Sequence, residues 1–244
     1  MKILLLRLFM ALLPCIAFSQ TKITKSYPVA KGQMIELRFD YPNVIRVSTW
    51  DKNEISIEAS VKINQGENND AFSLVEYSGN GKVSISNKLD MDNIPKTYFL
   101  VENGIKTRFT TKADMDNYRK EKTGTNNISY YQQKDIEVTL DIKVPANVTT
   151  DLASVYGIVE LRNFDGPIKV DAKYGGIDAS LTEDKIGKIT LTNHFGKIYS
   201  NLNLKPTAQK EQNFFTSITA MPGKGPDYDI SSNYGNIYLR SSVK

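Results

Sequence analysis

A short pattern that ends in an aromatic residue and a glycine recurs through the second half of the chain, and it constrains the fold more than any other feature. Each copy has two apolar residues at alternate positions, an aromatic residue four positions later, and a Val or Ile three positions after that. Glycine directly follows the aromatic in all four strong copies. The copies are Thr150, Leu152, Tyr156 and Val159, with threonine in the first slot; Ile168, Val170, Tyr174 and Ile177; Ile189, Leu191, Phe195 and Ile198; and Tyr228, Ile230, Tyr234 and Ile237.

The spacing of the copies predicts stacked units. The aromatics lie 18, 21 and 39 residues apart, and we interpret the last interval as two repeats. Turns such as Gly166-Pro167 and Gly187-Lys188 fall between them, so a turn and a short strand alternate along this region. Units of this size cannot bury their apolar face alone. We therefore predict an all-β, β-solenoid-like stack of short strands, with about two strands per 18–21-residue rung. An up-and-down sandwich is the alternative.

Period-two alternation extends the β prediction toward the N-terminus. Ile55, Ile57 and Ala59 alternate with polar residues, as they do in a strand with one buried face. Residues 20–87 are predicted to form an N-terminal antiparallel β region. A weaker copy of the pattern, Ile35, Leu37, Tyr41 and Val44 with Pro42 in place of glycine, lies inside it. The sequence leaves open whether this region continues the solenoid.

The segment 88–134 interrupts the alternation and is predicted to be one irregular insertion, after which the repeat region occupies residues 135–244. Tyr98 to Phe109 is typical of a hairpin around Asn103-Gly104, a pair suited to the positive φ angles of a tight turn. Thr111, with Asp114 three residues later, predicts the cap of a short helix that runs through Lys122.

Residues 1–19 have the layout of a secretory signal peptide. A basic start at Lys2 precedes an apolar run, and Ala17-Phe18-Ser19 places small residues at positions −3 and −1 of a cut before Gln20. The alternatives are a buried N-terminal helix and lipidation at Cys15, which Pro14 disfavours. Later residues include no apolar run long enough for a transmembrane segment. We predict export and a mature chain without cysteine.

Charge excludes one class of partner. The formal net charge is +4, and two of the basic residues, Lys2 and Arg7, belong to the predicted signal peptide. The remaining charges alternate in sign, as in Lys169, Asp171 and Lys173. A nucleic-acid surface needs clustered Lys and Arg, so no nucleic-acid partner is expected.

The residues give no catalytic or metal site. His194 is the single histidine, and we interpret it as a turn residue within a repeat. A catalytic histidine needs a nucleophile and an acid beside it, and one histidine without a cysteine nearly excludes a zinc or copper site. Gly79-Asn80-Gly81 is typical of a hairpin turn and departs from a phosphate loop. Four aspartates resemble a calcium loop only loosely, since the turn glycine and closing glutamate are absent. These are Asp90, Asp92, Asp114 and Asp116. We expect no catalytic residue, no metal and no cofactor.

An enzyme on a β-helix is the alternative from another class. Two carboxylates at suitable separation can hydrolyse a glycosidic bond, and β-helix scaffolds carry glycan lyases and hydrolases. The available carboxylates follow strands and turns without forming an evident pair. They are Asp165, Asp171, Asp178, Glu183 and Asp184. A groove in which three or more carboxylates converge would favour the enzyme.

The aromatic-glycine pairs have two interpretations. In the functional one, the aromatics align on successive rungs and form a platform for sugar rings or for the apolar patch of a partner. In the structural one, which we favour, each aromatic covers the next turn while the glycine permits positive φ or close backbone approach. The predicted structural residues are Tyr156, Gly157, Tyr174, Gly175, Phe195, Gly196, Tyr234 and Gly235.

The repeats resemble a known bacterial group. Tyr174-Gly175-Gly176-Ile177, Phe195-Gly196-Lys197-Ile198 and Tyr234-Gly235-Asn236-Ile237 are similar to the β-strand repeats of the "putative adhesin" families of unknown function, related to the head Gly-Ile-Asn domain of autotransporter adhesins. The Val-Pro segment 144–148 and the strand unit 44–57 resemble the same families. The resemblance covers nearly all of the mature chain except the insertion. The stretch 205–225 also departs from the usual pattern.

The resemblance implies an exported β-solenoid-like protein of the Gram-negative cell envelope, in the periplasm or on the outer surface, and it supplies no catalytic residues. We therefore expect a non-catalytic binding or structural module, adhesin-like, whose partner is an envelope protein or a glycan. The alternative is a carbohydrate-active enzyme, a glycan lyase or hydrolase. The sequence does not set the oligomeric state.

Overall fold

The computed structural model describes residues 20–121 and 128–242, and within them the chain is built from β-strands with a single α-helix. The all-β prediction is confirmed. The predicted signal peptide and Cys15 lie outside the described residues. The elements are β1 (Thr21–Pro28), β2 (Met34–Phe39), β3 (Val44–Trp50), β4 (Glu54–Ile63), β5 (Phe72–Gly79), β6 (Lys82–Leu89), β7 (Thr97–Glu102), β8 (Ile105–Phe109), α1 (Lys112–Glu121), β9 (Ile128–Gln133), β10 (Ile136–Pro145), β11 (Thr150–Ser154), β12 (Ile158–Arg162), β13 (Ile168–Ala172), β14 (Ile177–Leu181), β15 (Ile189–Asn193), β16 (Ile198–Ser200), β17 (Pro206–Gln212), β18 (Phe215–Ala220), β19 (Tyr228–Ser232) and β20 (Ile237–Ser241).

Two large sheets share one hydrophobic core. The eight-stranded sheet has the order β1-β4-β10-β3-β12-β14-β20-β16, and the nine-stranded sheet has the order β17-β18-β15-β19-β13-β11-β2-β6-β5. The alternation of apolar and polar residues produces this shared core, since every second side chain of a strand points into it. In β4, for example, Ile55, Ile57 and Ala59 are fully buried. The buried residues of both sheets form a single cluster.

The repeat pattern corresponds to a pair of strands that we call a rung. Each rung places one strand in the nine-stranded sheet, turns at the aromatic residue, and places the next strand in the eight-stranded sheet. Neighbouring rungs pair in parallel, so that Leu152 lies opposite Val170, and Val170 opposite Ile230. Identical apolar positions therefore stack in rows through the core. The rungs are β2–β3, β11–β12, β13–β14, β15–β16 and β19–β20.

The rungs do not stack in chain order. The last rung, β19–β20, lies between β13–β14 and β15–β16. The 39-residue interval between Phe195 and Tyr234, which the spacing predicts to hold two repeats, instead contains the antiparallel hairpin β17–β18. The reason lies in the composition of β17, since all of its residues are exposed and they lack the alternating apolar positions of a rung.

The N-terminal region differs in part from the antiparallel prediction. β1 pairs antiparallel with β4, and β5 with β6. However, β2 pairs in parallel with β11, and β3 with both β10 and β12. The weak copy of the pattern explains this, because Ile35 and Leu37 are fully buried and continue the apolar rows of the stack.

Strands β7, β8 and β9 form a separate antiparallel sheet. We call this sheet, together with α1, the inserted unit. The hairpin of β7 and β8 turns at Asn103 and Gly104, whose φ angles are +50° and +82°. The backbone amide of Asp114 donates to the hydroxyl of Thr111 at 3.1 Å and caps α1. No described strand of this unit pairs with either large sheet. The division of the chain into a signal peptide, an N-terminal region, an insertion and a repeat region stays a prediction.

Over residues 20–121 and 128–242, the structure has no helix long and apolar enough to cross a membrane.

Candidate functional site: an exposed aromatic column

The aromatics of successive rungs stack into a single row, which we call the aromatic column. In spatial order it consists of Tyr41, Tyr156, Tyr174, Tyr234, Phe195 and Phe214. The ring centroids are 6.1, 5.3, 5.2, 4.9 and 5.6 Å apart, and the angles between ring planes range from 6° to 28°. Five gaps of about 5 Å, close to the strand spacing of a sheet, give a column about 25 Å long.

Backbone hydrogen bonds through the turns fix the spacing of the rings. The amide of Tyr174 donates to the carbonyl of Val155 at 2.9 Å, and the amide of Tyr234 donates to the carbonyl of Lys173 at 3.1 Å. The amides of Tyr156 and Phe195 make the equivalent bonds to Asp40 and Asn233, at 3.1 and 2.8 Å. The sheet ladder therefore continues around each turn, and the distance between rings follows from the distance between strands.

The glycine after each aromatic allows neighbouring turns to approach closely. A Cβ on Gly175 would lie 1.4 Å from the carbonyl oxygen of Gly157, and one on Gly235 would lie 2.2 Å from that of Gly175. Gly196 and Gly157 face backbone oxygens at 2.2 and 2.0 Å in the same way. Gly157 also has a φ of +84°, which side chains disfavour.

Buried polar side chains beneath the column satisfy the turn backbone. The hydroxyl of Ser232 donates to the carbonyl of Gly175 at 3.0 Å and accepts from the amide of Gly235 at 3.1 Å. The amide group of Asn193 donates to the carbonyl of Gly235 at 2.7 Å, and its oxygen accepts from the amide of Gly196 at 2.6 Å. Sequence reasoning missed both residues. Their signal is a polar residue at the third inward position of a repeat strand.

The column rings face solvent. Tyr156, Tyr174, Tyr234 and Phe195 expose between 48% and 57% of their surface, and Phe214 exposes 72%. Carbon atoms in contact lie about 3.5–4.0 Å apart, so nearly parallel rings with centroids about 5 Å apart are offset. Each ring therefore covers part of its neighbour and leaves its remaining surface open. The turns account for the glycines, but they leave the rings about half uncovered.

Two members of the column lie outside the strong repeats. Tyr41 belongs to the weak copy, where Pro42 replaces the glycine. Phe214 lies in the turn of the β17–β18 hairpin, beside Phe195. The repeat pattern contains no signal for Phe214, because the hairpin brings it to the end of the column from outside the repeats.

Polar groups lie beside the column. The ammonium group of Lys173 lies 5.3 Å from the ring centroid of Tyr174. Asn236 accepts a hydrogen bond from the amide of Lys197 at 2.9 Å and donates to the hydroxyl of Tyr238 at 3.2 Å. His194 makes an edge contact with the ring of Phe215, at 5.1 Å. These border groups are an amide, a histidine and two lysines.

A second, shorter ring pair lies off the column. Tyr199 and Tyr238 stack at 5.1 Å on the outer face of the eight-stranded sheet, and the guanidinium of Arg240 lies 5.6 Å from the ring of Tyr238. Tyr238 is 36% exposed. This pair gives a comparison site with the same chemistry and only two rings.

Several predicted carboxylates have structural partners. Asp178 pairs with Arg240 at 2.8 Å, Asp165 with Lys185 at 3.6 Å, and the carboxylate of Glu183 accepts from the backbone amide of Asn203. On the outer sheet faces, Arg38 pairs with Glu36 and Asp151, and Arg46 pairs with Asp141 and Glu160. No group of three or more His, Cys, Asp or Glu in the described part of the chain could hold a metal ion.

Two of the four aspartates that resemble a calcium loop have other partners. Asp90 accepts a hydrogen bond from the side chain of Asn93 at 2.7 Å, and Asp114 accepts one from the hydroxyl of Thr111 at 2.6 Å. Asp92 and Asp116 complete the set, and no metal-holding group includes any of the four. Gly79, Asn80 and Gly81 lie at the turn of the β5–β6 hairpin.

A polar cavity of about 220 Å³ lies near Asp165 and Lys185. The hydroxyl of Tyr228 at its wall donates to the carbonyl of Phe164 at 3.0 Å, and burial raises the pKa of Tyr228 to about 12. This tyrosine is thus a neutral hydrogen-bond donor at any physiological pH. A second cavity, of about 290 Å³, holds Asp227 and Asp229 together with Lys169 and Lys188, so its charges balance.

Comparisons with known proteins give distant structural likenesses only. No protein-family model matches the chain, and no curated protein matches it. A "putative cell adhesion protein" from Clostridium sporogenes is similar over 92% of this chain and 100% of that one, with 8% identity and a TM-score of 0.48. A "putative adhesin" from Bacteroides fragilis is similar over 91% and 98%, with 11% identity and a TM-score of 0.23. At these values the likenesses assign no function to the chain.

Proposed function

We propose that the protein is an exported, adhesin-like binding module without catalytic activity, and that it holds an extended polysaccharide along the aromatic column. The observation that carries the proposal is the continuous row of six stacked rings, four of which are about half exposed and one of which, Phe214, is more exposed. A contiguous row of exposed aromatic rings is the kind of apolar patch that marks an interaction site on a soluble protein. A chain that needed the aromatics only to fill space would bury them.

The shape of the column favours a polymer over a small ligand. Small-molecule sites are concave and enclose most of the ligand. A row of turns offers length rather than enclosure. A long ligand can make the same contact at each rung, so that several weak contacts add up along about 25 Å.

The chemistry of the column favours a glycan. An extended β-1,4-linked glycan advances by nearly one strand spacing per sugar, and the rings repeat every 4.9–6.1 Å. The C–H surfaces of sugars pack against the exposed parts of the aromatic rings, while phenol hydroxyls and the amide of Asn236 match sugar hydroxyls.

The finer features of the fold and the location belong to the same proposal. The parallel, in-register pairing of the rungs supports a β-solenoid-like stack. The signal-peptide pattern in residues 1–19 supports export, to the periplasm or the outer surface of a Gram-negative cell. Identification of the N-terminal residue of the exported protein tests this. Gln20 as the first residue supports it, and retention of Met1 contradicts it.

The absence of catalysis is also proposed, and charge pairing supports it. A glycosidase needs one carboxylate as an acid and another as a base or nucleophile. Arg38 and Arg46 each bind two carboxylates on the outer faces of the sheets. A reducing-sugar assay on the glycans named below checks this. Release of new reducing ends would favour the carbohydrate-active enzyme instead.

Affinity electrophoresis through gels that contain a soluble glycan tests the binding proposal. Hydroxyethyl cellulose and glucomannan offer extended β-1,4 chains, whereas laminarin and glycogen offer curved chains with a different repeat. We expect retardation by the first two glycans. The substitution Tyr174→Ala, in the middle of the column, should weaken binding at least about tenfold, or about 1.4 kcal/mol.

Tyr199→Ala is the matched control, since it removes an exposed stacked tyrosine outside the column and leaves the hydrogen bond between Asn236 and Tyr238 in place. It should leave retardation unchanged. Equal binding by the wild type and Tyr174→Ala would show that the column does not bind the glycan. Equal retardation by all four glycans would show that the ring spacing does not select extended β-1,4 chains. Capture of a folded envelope protein by the column, without glycan binding, would replace the glycan with a protein partner.

A further inference from the structure

The inserted unit contains a cavity of its own. It has a volume of about 310 Å³ and lies between the N-terminal half of α1 and the three-stranded sheet. This volume is at the lower end of the range for small-molecule sites, about 300–1,000 Å³. The lining residues are Tyr98, Lys112, Met115, Tyr130, Tyr131 and Gln132.

The walls of the cavity are held by local packing. Met115 is almost fully buried, as are Phe99 and Leu100 in the strand beneath. The ring of Tyr131 stacks on Phe99 at 5.2 Å, and the guanidinium of Arg119 lies 5.2 Å from the ring of Tyr130. Tyr98 and Tyr130 thus stand beside Met115 on the face of the sheet that α1 covers, while the ring of Tyr131 lies against Phe99 on the opposite face.

The unit is attached to the stack without adding a strand to it. The hydroxyl of Thr97 donates to the side-chain oxygen of Asn64 at 3.0 Å, and Arg108 donates to Gln65 at 3.4 Å. These contacts hold the unit at the end of β4. Because it extends neither large sheet, the stack gives no reason for its aromatic cavity.

The lining of the cavity indicates its ligand. Tyrosine rings and a methionine suit the C–H surface of one sugar ring, and the phenol groups and the amide of Gln132 suit its hydroxyls. Lys112 is the single charged residue among the six that line the cavity, and it is a cation. A ligand with a carboxylate complements this lining better than a neutral or a basic one.

We propose that the cavity of the inserted unit binds one carboxylate-bearing sugar residue, a hexuronate, with Lys112 pairing with the carboxylate and Tyr130 packing against the ring. This site is separate from the aromatic column, which the proposed function assigns to a neutral extended chain. The protein would then recognise an acidic sugar unit at one place and a glycan backbone at another.

Saturation-transfer NMR and calorimetry with D-galacturonate and D-glucuronate test this on the full protein, with galactose and glucose as neutral counterparts. We expect saturation of at least one uronate at millimolar concentration and much weaker saturation of the neutral sugars. Lys112→Gln keeps the length of the side chain but removes the charge, and it should weaken uronate binding at least tenfold. Raising the salt concentration should weaken binding by the wild type and have a smaller effect on Lys112→Gln, in which Arg119 beside Tyr130 remains as a cation.

Two further variants separate the ring contact from folding. Tyr130→Ala should abolish saturation, whereas Tyr130→Phe keeps the ring and should retain most of the binding. Tyr174→Ala, in the column, should bind uronate like the wild type, so failure of the column and failure of the cavity are distinguishable. Equal saturation by galactose and galacturonate, unchanged binding by Lys112→Gln, or no saturation by either uronate would overturn the proposal. Preference for a polyglutamate peptide would identify an acidic protein segment as the ligand.

Discussion

The stack and the inserted unit are built from contacts of opposite range. In the stack, Thr150 pairs with Ile35, and Ile168 pairs with Tyr228, so strands that are neighbours in space are far apart in the chain. In the inserted unit, β7 pairs antiparallel with β8 and β9, both of which lie in the same segment, 97–133. The stack therefore depends on the whole chain, whereas the unit depends on its own segment. The spacing of any ligand site on the column is therefore set by the regular spacing of the strands, whereas the shape of the cavity is set by local side-chain packing.

Removal of the last rung should have the largest effect on stability. Truncation after Asp227 removes β19–β20 from between two other rungs, and with it the buried Tyr228, Ile230, Ile237 and Leu239. Each such loss costs about 2–5 kcal/mol, and the sum is comparable to the whole stability of a domain, about 5–15 kcal/mol. We expect the truncated chain to lose cooperative unfolding by circular dichroism.

The matching variant replaces residues 96–134, which contain the inserted unit, with a short Gly-Ser linker. It removes more residues than the truncation after Asp227. The linker variant should retain a cooperative transition, because no strand of the two large sheets lies in that segment. If both variants lost the transition, the stack and the unit would be one cooperative body, and the comparison would be wrong.

A pair of buried leucine-sized residues sharpens the same comparison. Ile230 in β19 and Leu100 in β7 are both fully buried. Ile230→Ala should lower the free energy of unfolding of the stack by about 2–5 kcal/mol. Leu100→Ala should instead raise hydrogen exchange within residues 97–109 and change the global transition little. A similar global loss in both variants would contradict the separation.

Substitution of two glycines tests the difference between the closely packed turns of the stack and an open turn in the inserted unit. A Cβ on Gly175 would overlap the backbone oxygen of Gly157, which cannot rotate away, so Gly175→Ala should cost about 3 kcal/mol. Gly104, in the β7–β8 turn, has φ of +82° and no atom within 4 Å of the added Cβ. Gly104→Ala should therefore cost only the conformational term, about 1–2 kcal/mol. Denaturant unfolding measures both, and equal costs would show that the turns of the stack can separate.

The sequence contains enough information for the strands of the stack but too little for their order. Alternation identifies inward positions such as Leu152 and Val170, because burial of one face demands it. Yet every rung offers Ile, Leu or Val at these positions, so any rung can pair with any other. What sets the order is the β17–β18 hairpin, which pairs with β15 and occupies the place where a further rung would stack.

The two candidate sites also differ in how far the sequence predicts them. The recurring aromatic-glycine pair predicts stacked rings, since equal positions on successive rungs align. Whether those rings are covered depends on what packs over the turns, and the pattern holds no information about that. The cavity of the inserted unit was beyond prediction, because Tyr98, Met115 and Tyr130 come from three elements and meet only when α1 packs on the sheet.

The smallest expected effect concerns an ion pair on the outer face of the stack. A hydrogen bond from Lys82, helped by Ser84 and Arg38, lowers the pKa of Glu36 below its ordinary value. The unfolded state therefore binds the proton first as the pH falls, and the stabilisation is present above about pH 4.3 and is lost as the pH falls further, through the lowered pKa of the folded state. Because the pair is partly exposed, Glu36→Gln should cost under about 1 kcal/mol at neutral pH.

Urea unfolding at neutral pH and at about pH 3 checks this sign, because the gap between the wild type and Glu36→Gln should narrow at the lower pH. The control is Asp92→Asn, an exposed carboxylate in the segment between the stack and the inserted unit. Asp92→Asn should unfold like the wild type at both pH values, since it lies off the paired faces of the stack. A gap for Glu36→Gln that widened in acid would mean that Lys82 and Arg38 stabilise the unfolded carboxylate more than the folded one, and that ion pairs do not join the strands of the stack.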